Sequence, residues 1–119
     1  MKYRQDLSPR LINFSIRIIK LASEFPKTPA GFAIASQIVR SATSIGANCE
    51  EAQDAISQRE FLRSMTISLK EARETGYWLR VVEGSNLVSK SRIEAEIIEC
   101  NQIISILIAT VKSLKKKLN

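Results

Sequence analysis

The sequence predicts an all-α fold, an antiparallel up-down-up-down four-helix bundle, and three observations carry that expectation. Apolar residues recur at alternating steps of three and four in successive stretches, which stripes one face of a helix. Only 4 glycines and 3 prolines punctuate 119 residues, so long uninterrupted elements are expected. The stretches are joined by short connections, and antiparallel neighbours with shallow crossing angles are then the natural packing. A chain of this length supports one core, so residues 1–119 are read as a single domain with no linker.

Ser8-Pro9 reads as an N-cap followed by proline at the first helical position. The apolar run behind it continues to Phe25, where Pro26-Lys27-Thr28-Pro29 stops it. Its expected core stripe is Leu11, Ser15, Ile18, Ala22 and Phe25. A second helix starts near Ala30 and carries Ala35, Ile38, Ala42, Ile45, Cys49 and Ala52 on one seam, ending near Asp54. Ser57 caps a third, with Leu62, Met65, Leu69, Ala72, Gly76 and Leu79 as its seam, until Gly84-Ser85-Asn86 breaks it. The fourth opens near Ser89 or Ser91. Its seam runs Ile93, Ile97, Cys100, Ile104, Leu107, Val111, Leu114 and Leu118.

Lys+Arg total 18 against Asp+Glu 12, a net charge of +6, while 45% hydrophobic and 25% charged residues are ordinary globular values. The balance argues against disorder and points to an anionic partner. With no histidine, mechanisms that need an imidazole base or ligand are excluded. Residues 1–10 resemble no secretory signal, and the two cysteines form no spaced metal pair, so a cytoplasmic, reduced protein is expected. The most apolar window, Ile97 to Val111, is shorter than the roughly 20 residues of a bilayer span and is interrupted by Glu99, Asn101 and Gln102, so no membrane association is expected.

The helices carry more apolar surface than one bundle interior needs. Ile12, Ile16 and Ile19 widen the stripe of the first helix, Ile67 and Trp78 point nearly opposite the seam of the third, and Ile98 and Ile106 lie off the seam of the fourth. A homo-oligomer that buries these residues is expected, with Trp78 as an anchor. Between Ser41 and Ala47 the second helix has little side-chain volume. Gly46 there costs about 1 kcal/mol relative to Ala, which close packing or a kink would explain.

Two carboxylate pairs, Glu71/Glu74 and Glu96/Glu99, stand one turn apart on their helices, as in helical magnesium-dependent nucleotide pyrophosphatases. The first pair lies away from its seam and Glu96 at the edge of another, so the four do not converge in one protomer. Pairing of Glu71 and Glu74 with Lys70, Arg73 or a neighbouring subunit is the expectation, with no metal and no cofactor. Cys49 and Cys100 occupy seam positions, where a small buried apolar side chain is the usual role, and neither has a histidine to activate it.

Arg10, Asn13, Arg17 and Lys20 share a polar stripe of the first helix, and Arg59, Arg63, Lys70, Arg73 and Arg80 flank the core of the third. Residues 1–28 carry six positive and two negative charges, 29–57 one and three, 58–83 five and four, and the remainder six and three. The excess therefore sits on the first helix and in the tail, which holds Lys112, Lys115, Lys116 and Lys117. Arg10, Arg17, Lys20, Arg59, Arg63 and these lysines are the candidate contacts to RNA or DNA phosphates.

The segment Arg40-Ser41-Ala42-Thr43-Ser44-Ile45-Gly46-Ala47-Asn48, with Glu60-Phe61 and then Ser68-Leu69-Lys70-Glu71-Ala72-Arg73-Glu74-Thr75-Gly76-Tyr77-Trp78-Leu79, resembles the small bacterial four-helix-bundle family named for proteins encoded in intervening sequences of 23S ribosomal RNA genes. The likeness covers nearly the whole chain. Cys49-Glu50-Glu51-Ala52 departs from it at Glu50. The resemblance implies a homo-oligomeric ring, typically a pentamer, without recognised enzymatic activity. It also implies kinship with the accessory subunit of diversity-generating retroelements, a basic pentameric bundle that binds nucleic acid and a reverse transcriptase. Under that reading Ile12, Ile16, Ile67, Glu71, Glu74, Trp78, Ile98 and Ile106 are interfacial.

Overall fold

The structure, a computed structural model, describes residues 2–118, with side chains from Leu7 onward. Four helices follow one another: α1 (Lys2–Ala22), α2 (Pro29–Ala52), α3 (Gln58–Gly84) and α4 (Lys90–Leu118). No strand occurs among the described residues. They form an elongated four-helix bundle of 47 × 23 × 21 Å. At 1.5 Å per residue, the 29 residues of α4 run about 43 Å, nearly its full length.

Local chemistry sets most of the boundaries. Thr28 caps α2, its hydroxyl accepting from the Gly31 N–H at 3.1 Å, and Pro29 follows where a missing N–H does no harm. Ser57 caps α3 by accepting from the Glu60 N–H at 3.1 Å, while Glu60 Oε2 accepts from the Ile56 N–H at 3.1 Å. Ser89 Oγ accepts from the Arg92 N–H at the start of α4. Asn86, just past α3, takes the left-handed conformation at φ 56° that lets the chain reverse.

Helix α1 departs from expectation. It starts at Lys2, so Pro9 lies inside it and Ser8 is no cap. Ser8 Oγ instead donates to the Glu50 carboxylate on α2. Leu7, only 5% exposed, ties the additional N-terminal turns to the core, and burial outweighs the hydrogen bond that Pro9 forgoes. Met1 and Asn119 lie outside the described residues.

One apolar cluster draws on all four helices. In α2 the expected seam holds from Ile38 onward, with Ile38, Ala42, Ile45, Cys49 and Ala52 buried, while Ala35 is half-buried at its margin. In α1, Phe14 and Leu21 are fully buried and Ser15 is only half-buried. Helix α3 is rotated from its expected seam: Phe61, Met65, Ser68, Ala72, Thr75, Leu79 and Val82 are buried, while Leu62, Leu69 and Gly76 are half-buried. In α4 the buried row is Ile93, Glu96, Cys100, Ile103, Leu107, Val111 and Leu114, with Ile97 and Ile104 displaced to its margin.

The rotation follows from small hydroxyls that bond across the α2/α3 seam. Ser68 Oγ donates to the Ile45 carbonyl at 2.8 Å and Thr75 Oγ1 to Ser41 Oγ at 2.9 Å. Each buried polar group is thereby satisfied, which removes the penalty that would otherwise push it outward. Residue numbers fall along α3 as they rise along α2. Gly46 owes its presence to close packing: a Cβ there would lie 3.3 Å from Leu11 Cβ.

By length and composition alone α4 is long and apolar enough to cross a membrane, since the helix extends well beyond the Ile97–Val111 window. In the bundle its apolar row faces the core, together with the carboxylate of Glu96.

Candidate functional site

The two segments that carry the family resemblance meet across α2 and α3. Arg40, the sole cation among residues 29–57, reaches from α2 to both acids of α3: Nη1 is 3.2 Å from Glu71 Oε2, and Nη2 bonds Glu74 Oε2. The Trp78 indole N–H donates to the same Glu74 oxygen at 3.1 Å. This indole hydrogen bond, ahead of Arg40, holds the Glu74 carboxyl below its ordinary range. Thus the ion pairs of Glu71 and Glu74 run to Arg40 across the seam rather than to Lys70 or Arg73, with Lys70 adding only its charge near Glu74. The signal in the sequence was that no other cation on α2 is available to them.

Trp78 is half-buried and packs against the core, with its ring edge-on to Tyr77 at 5.0 Å between centroids. The expected position opposite the seam is therefore corrected. The rotation of α3 brings the indole to the α2 side, where Glu74 satisfies its N–H. Ile106 is likewise half-buried against the core. Ile12, Ile16, Ile67 and Ile98 are exposed, joined by Ile19, Phe32, Ile56, Tyr77 and Ile108.

A second polar assembly ties α1 to α4. Arg10 Nε is 2.7 Å from Glu99 Oε2, and its Nη2 also donates to Gln102 Oε1. Arg17 Nη2 is 2.7 Å from Glu96 Oε1, Arg92 Nη1 is 2.9 Å from Glu96 Oε2, and Arg92 also grips Glu24. Hydrogen bonding from Arg10 holds the Glu99 carboxyl low. Arg10 and Arg17, expected from the sequence to contact RNA or DNA phosphates together with Lys20, instead direct their guanidinium groups to acids of α4. Glu96 is a buried acid rather than an edge residue. Alternating donors around it leave neither of its oxygens unpaired.

Lys20, Arg59, Arg63, Lys112, Lys115, Lys116 and Lys117 are exposed, and none has an ion-pair partner among the described residues. Lys117 and Leu114 share a depression with Ser57, Gln58 and Phe61. The start of α3 and the end of α4 thus bring Arg59, Arg63 and the lysine tail to one end of the bundle. Lys20 lies toward the opposite end, where Glu24 meets Arg92.

The carboxylate pairs stay apart: Arg40 occupies Glu71 and Glu74 on the α2/α3 side, while Arg10, Arg17 and Arg92 occupy Glu96 and Glu99 on the α1/α4 side. No group of three or more acids or cysteines able to hold a metal occurs among the described residues. Both thiols are buried. Cys49 Sγ lies 3.2 Å from Ser68 Oγ and Cys100 Sγ 3.6 Å from the Ala72 carbonyl. Burial raises the Cys49 pKa and pushes that of Cys100 up to about 12, the reverse of what a nucleophile requires.

This arrangement defines a small all-helical bundle whose polar residues are engaged chiefly in holding helices together. Residues 6–109 match the family described as 23S rRNA-intervening sequence protein, and the chain belongs to that family. A crystal structure of a protein with unknown function from the S23 ribosomal protein family of Bacteroides thetaiotaomicron is similar, with 33% identity and a TM-score of 0.82. The similarity covers 88% of this chain and 97% of that one. A comparison with curated proteins found no match.

Proposed function

We propose that this protein binds rather than catalyses: a homo-oligomeric helical bundle whose basic end contacts the phosphate backbone of RNA or DNA. The observation that carries the reading is the grouping of Arg59, Arg63, Lys112 and Lys115–Lys117 at one end, exposed and, among the described residues, without an ion-pair partner. Such a patch suits sequence-independent contact that weakens steeply with salt. Exposed Ile12, Ile16, Ile67 and Ile98 support self-association. The cross-helix pairs, in which numbers fall on one helix as they rise on its neighbour, support an up-down-up-down order.

The family resemblance favours a ring, typically of five subunits, working in the cytoplasm, and a role as accessory subunit to a nucleic-acid enzyme such as a reverse transcriptase. Binding of generic RNA and duplex DNA, followed by fluorescence anisotropy at two salt concentrations, tests the reading. Binding that falls steeply as salt rises is expected; none at low salt overturns it. The exposed isoleucines also favour a second reading, a protein-adaptor ring without nucleic-acid binding, which that negative result would select.

A further inference from the structure

Of the glycines inside helices α2 and α3, two have a packing reason. A Cβ on Gly31 would sit 2.0 Å from the Pro26 carbonyl oxygen, and one on Gly46 would crowd Leu11. Gly76 differs: its Cβ would meet Ile104 Cδ1 at 3.4 Å and Cys100 Sγ at 3.8 Å, ordinary contact distances. The interior of α3 therefore carries a residue about 1 kcal/mol less favourable than alanine that intrachain packing does not demand. What its missing methyl does is deepen a groove of about 370 Å³ between α3 and α4. Ile97, Cys100 and Ile104 help form the floor, and Arg73 and Arg80 stand on its α3 edge.

Both arginines are exposed and, among the described residues, lack ion-pair partners, unlike Arg10, Arg17, Arg40 and Arg92. They are seven residues apart, about 10.5 Å along the helix. An apolar floor is poor company for a phosphate backbone, while a groove between two helices accepts a third helix readily. The occupant should therefore be helical, apolar or small along its centre, and acidic. The chain itself has one such face. Of the four segments whose charges are counted above, residues 29–57 are the net-acidic one. On α2, Thr43, Ala47 and Glu51 follow at steps of four and lead to exposed Asp54. Leu11 packs on Gly46 and Ser15 bonds the Ala42 carbonyl, which sets exposed Ile12 and Ile16 beside that row.

We infer that the α3/α4 groove of one protomer receives the α1/α2 face of a second copy, with Glu51 and Asp54 against Arg73 and Arg80. The contact is head-to-tail, so each subunit offers one groove and one face. The inference rests on the self-association proposed above and names its surfaces.

Sedimentation velocity at micromolar concentration tests it with two charge-reversed variants, Arg73→Glu/Arg80→Glu and Glu51→Lys/Asp54→Lys, each checked for helicity by circular dichroism. Each alone is expected to weaken assembly at least tenfold. The fourfold variant that carries both reversals should restore it, because every reversed groove then faces reversed acids whatever the number of subunits. Double variants that assemble like the parent, or a fourfold variant that stays dissociated while keeping parent helicity, overturn the surfaces while leaving self-association intact. A parent chain that is monomeric overturns both. Restoration in the fourfold variant also separates lost contact from lost folding.

Discussion

Arg17 on α1 and Glu96 on α4 are 79 residues apart in sequence, yet their charged atoms lie 2.7 Å apart. The glutamate side chain is 5% exposed and the arginine 33%. A helix rich in cations is thus held to the bundle partly through charge that could otherwise have faced solvent.

Removing one partner tests this contact. In Arg17→Ala, Glu96 keeps only Arg92 and remains buried, so unfolding free energy should fall by about 2 kcal/mol, short of the full cost of an uncompensated buried charge. Urea denaturation should show a lower midpoint at unchanged slope. Replacing exposed Lys20 by Ala should change little.

The hydroxyl contacts between α2 and α3 predict a second effect. Thr75→Val keeps the shape but deprives Ser41 of its donor and the Glu71 carbonyl of a neighbour. A loss of about 1–2 kcal/mol is expected, read from the same denaturation midpoint.

Glycine substitutions should separate by position. Gly76→Ala gains helix propensity without a clash and should raise stability by up to about 1 kcal/mol. Gly46→Ala forces Leu11 to give way, and Gly31→Ala meets the Pro26 carbonyl, so melting temperatures should rank Gly76→Ala, parent, Gly46→Ala, Gly31→Ala from high to low.

Acid should destabilise the protein through Glu74 and Glu99. Both carboxyls are held below the ordinary value of 4.5, so the folded state favours their charged forms. Their contribution is fully present above 4.5 and disappears as pH falls through the lowered folded values. Melting temperature against pH should therefore drop below that point. Glu99→Gln should flatten the drop.

Thiol labelling offers a fifth test. With both cysteines buried and their pKa values raised, a disulfide reagent at pH 8 should modify neither in the native protein and both in urea. Rapid labelling of Cys100 in the native state would contradict its packing against Ala72.

The seams show where sequence reasoning stopped. On α2 the expected seam is buried from Ile38 to Ala52, because small neighbours left no competing row beside it. On α3 the apolar row through Leu62, Leu69 and Gly76 is the more hydrophobic one. Nevertheless the row through Phe61, Ser68 and Thr75 is buried, since its hydroxyls find partners on α2. Hydropathy counts Ser68 and Thr75 as polar and cannot register a bond whose acceptor is 23 or 34 residues away. The candidate cations divide for the same reason: Arg10 and Arg17 met acids on α4, while Arg59, Arg63 and the lysine tail met none.

By itself the sequence determined that there are four helices and where most of them begin and end, because caps, breakers and apolar periodicity act over a few residues. Residues 40–48 and 68–79 also determined the family. Only the tertiary structure decided how α3 is turned about its axis, which arginines are engaged, and that α1 extends through Pro9 to Lys2. Those outcomes depend on groups brought within about 3 Å across helices, and hydrogen bonding and burial at that range outweigh local preference.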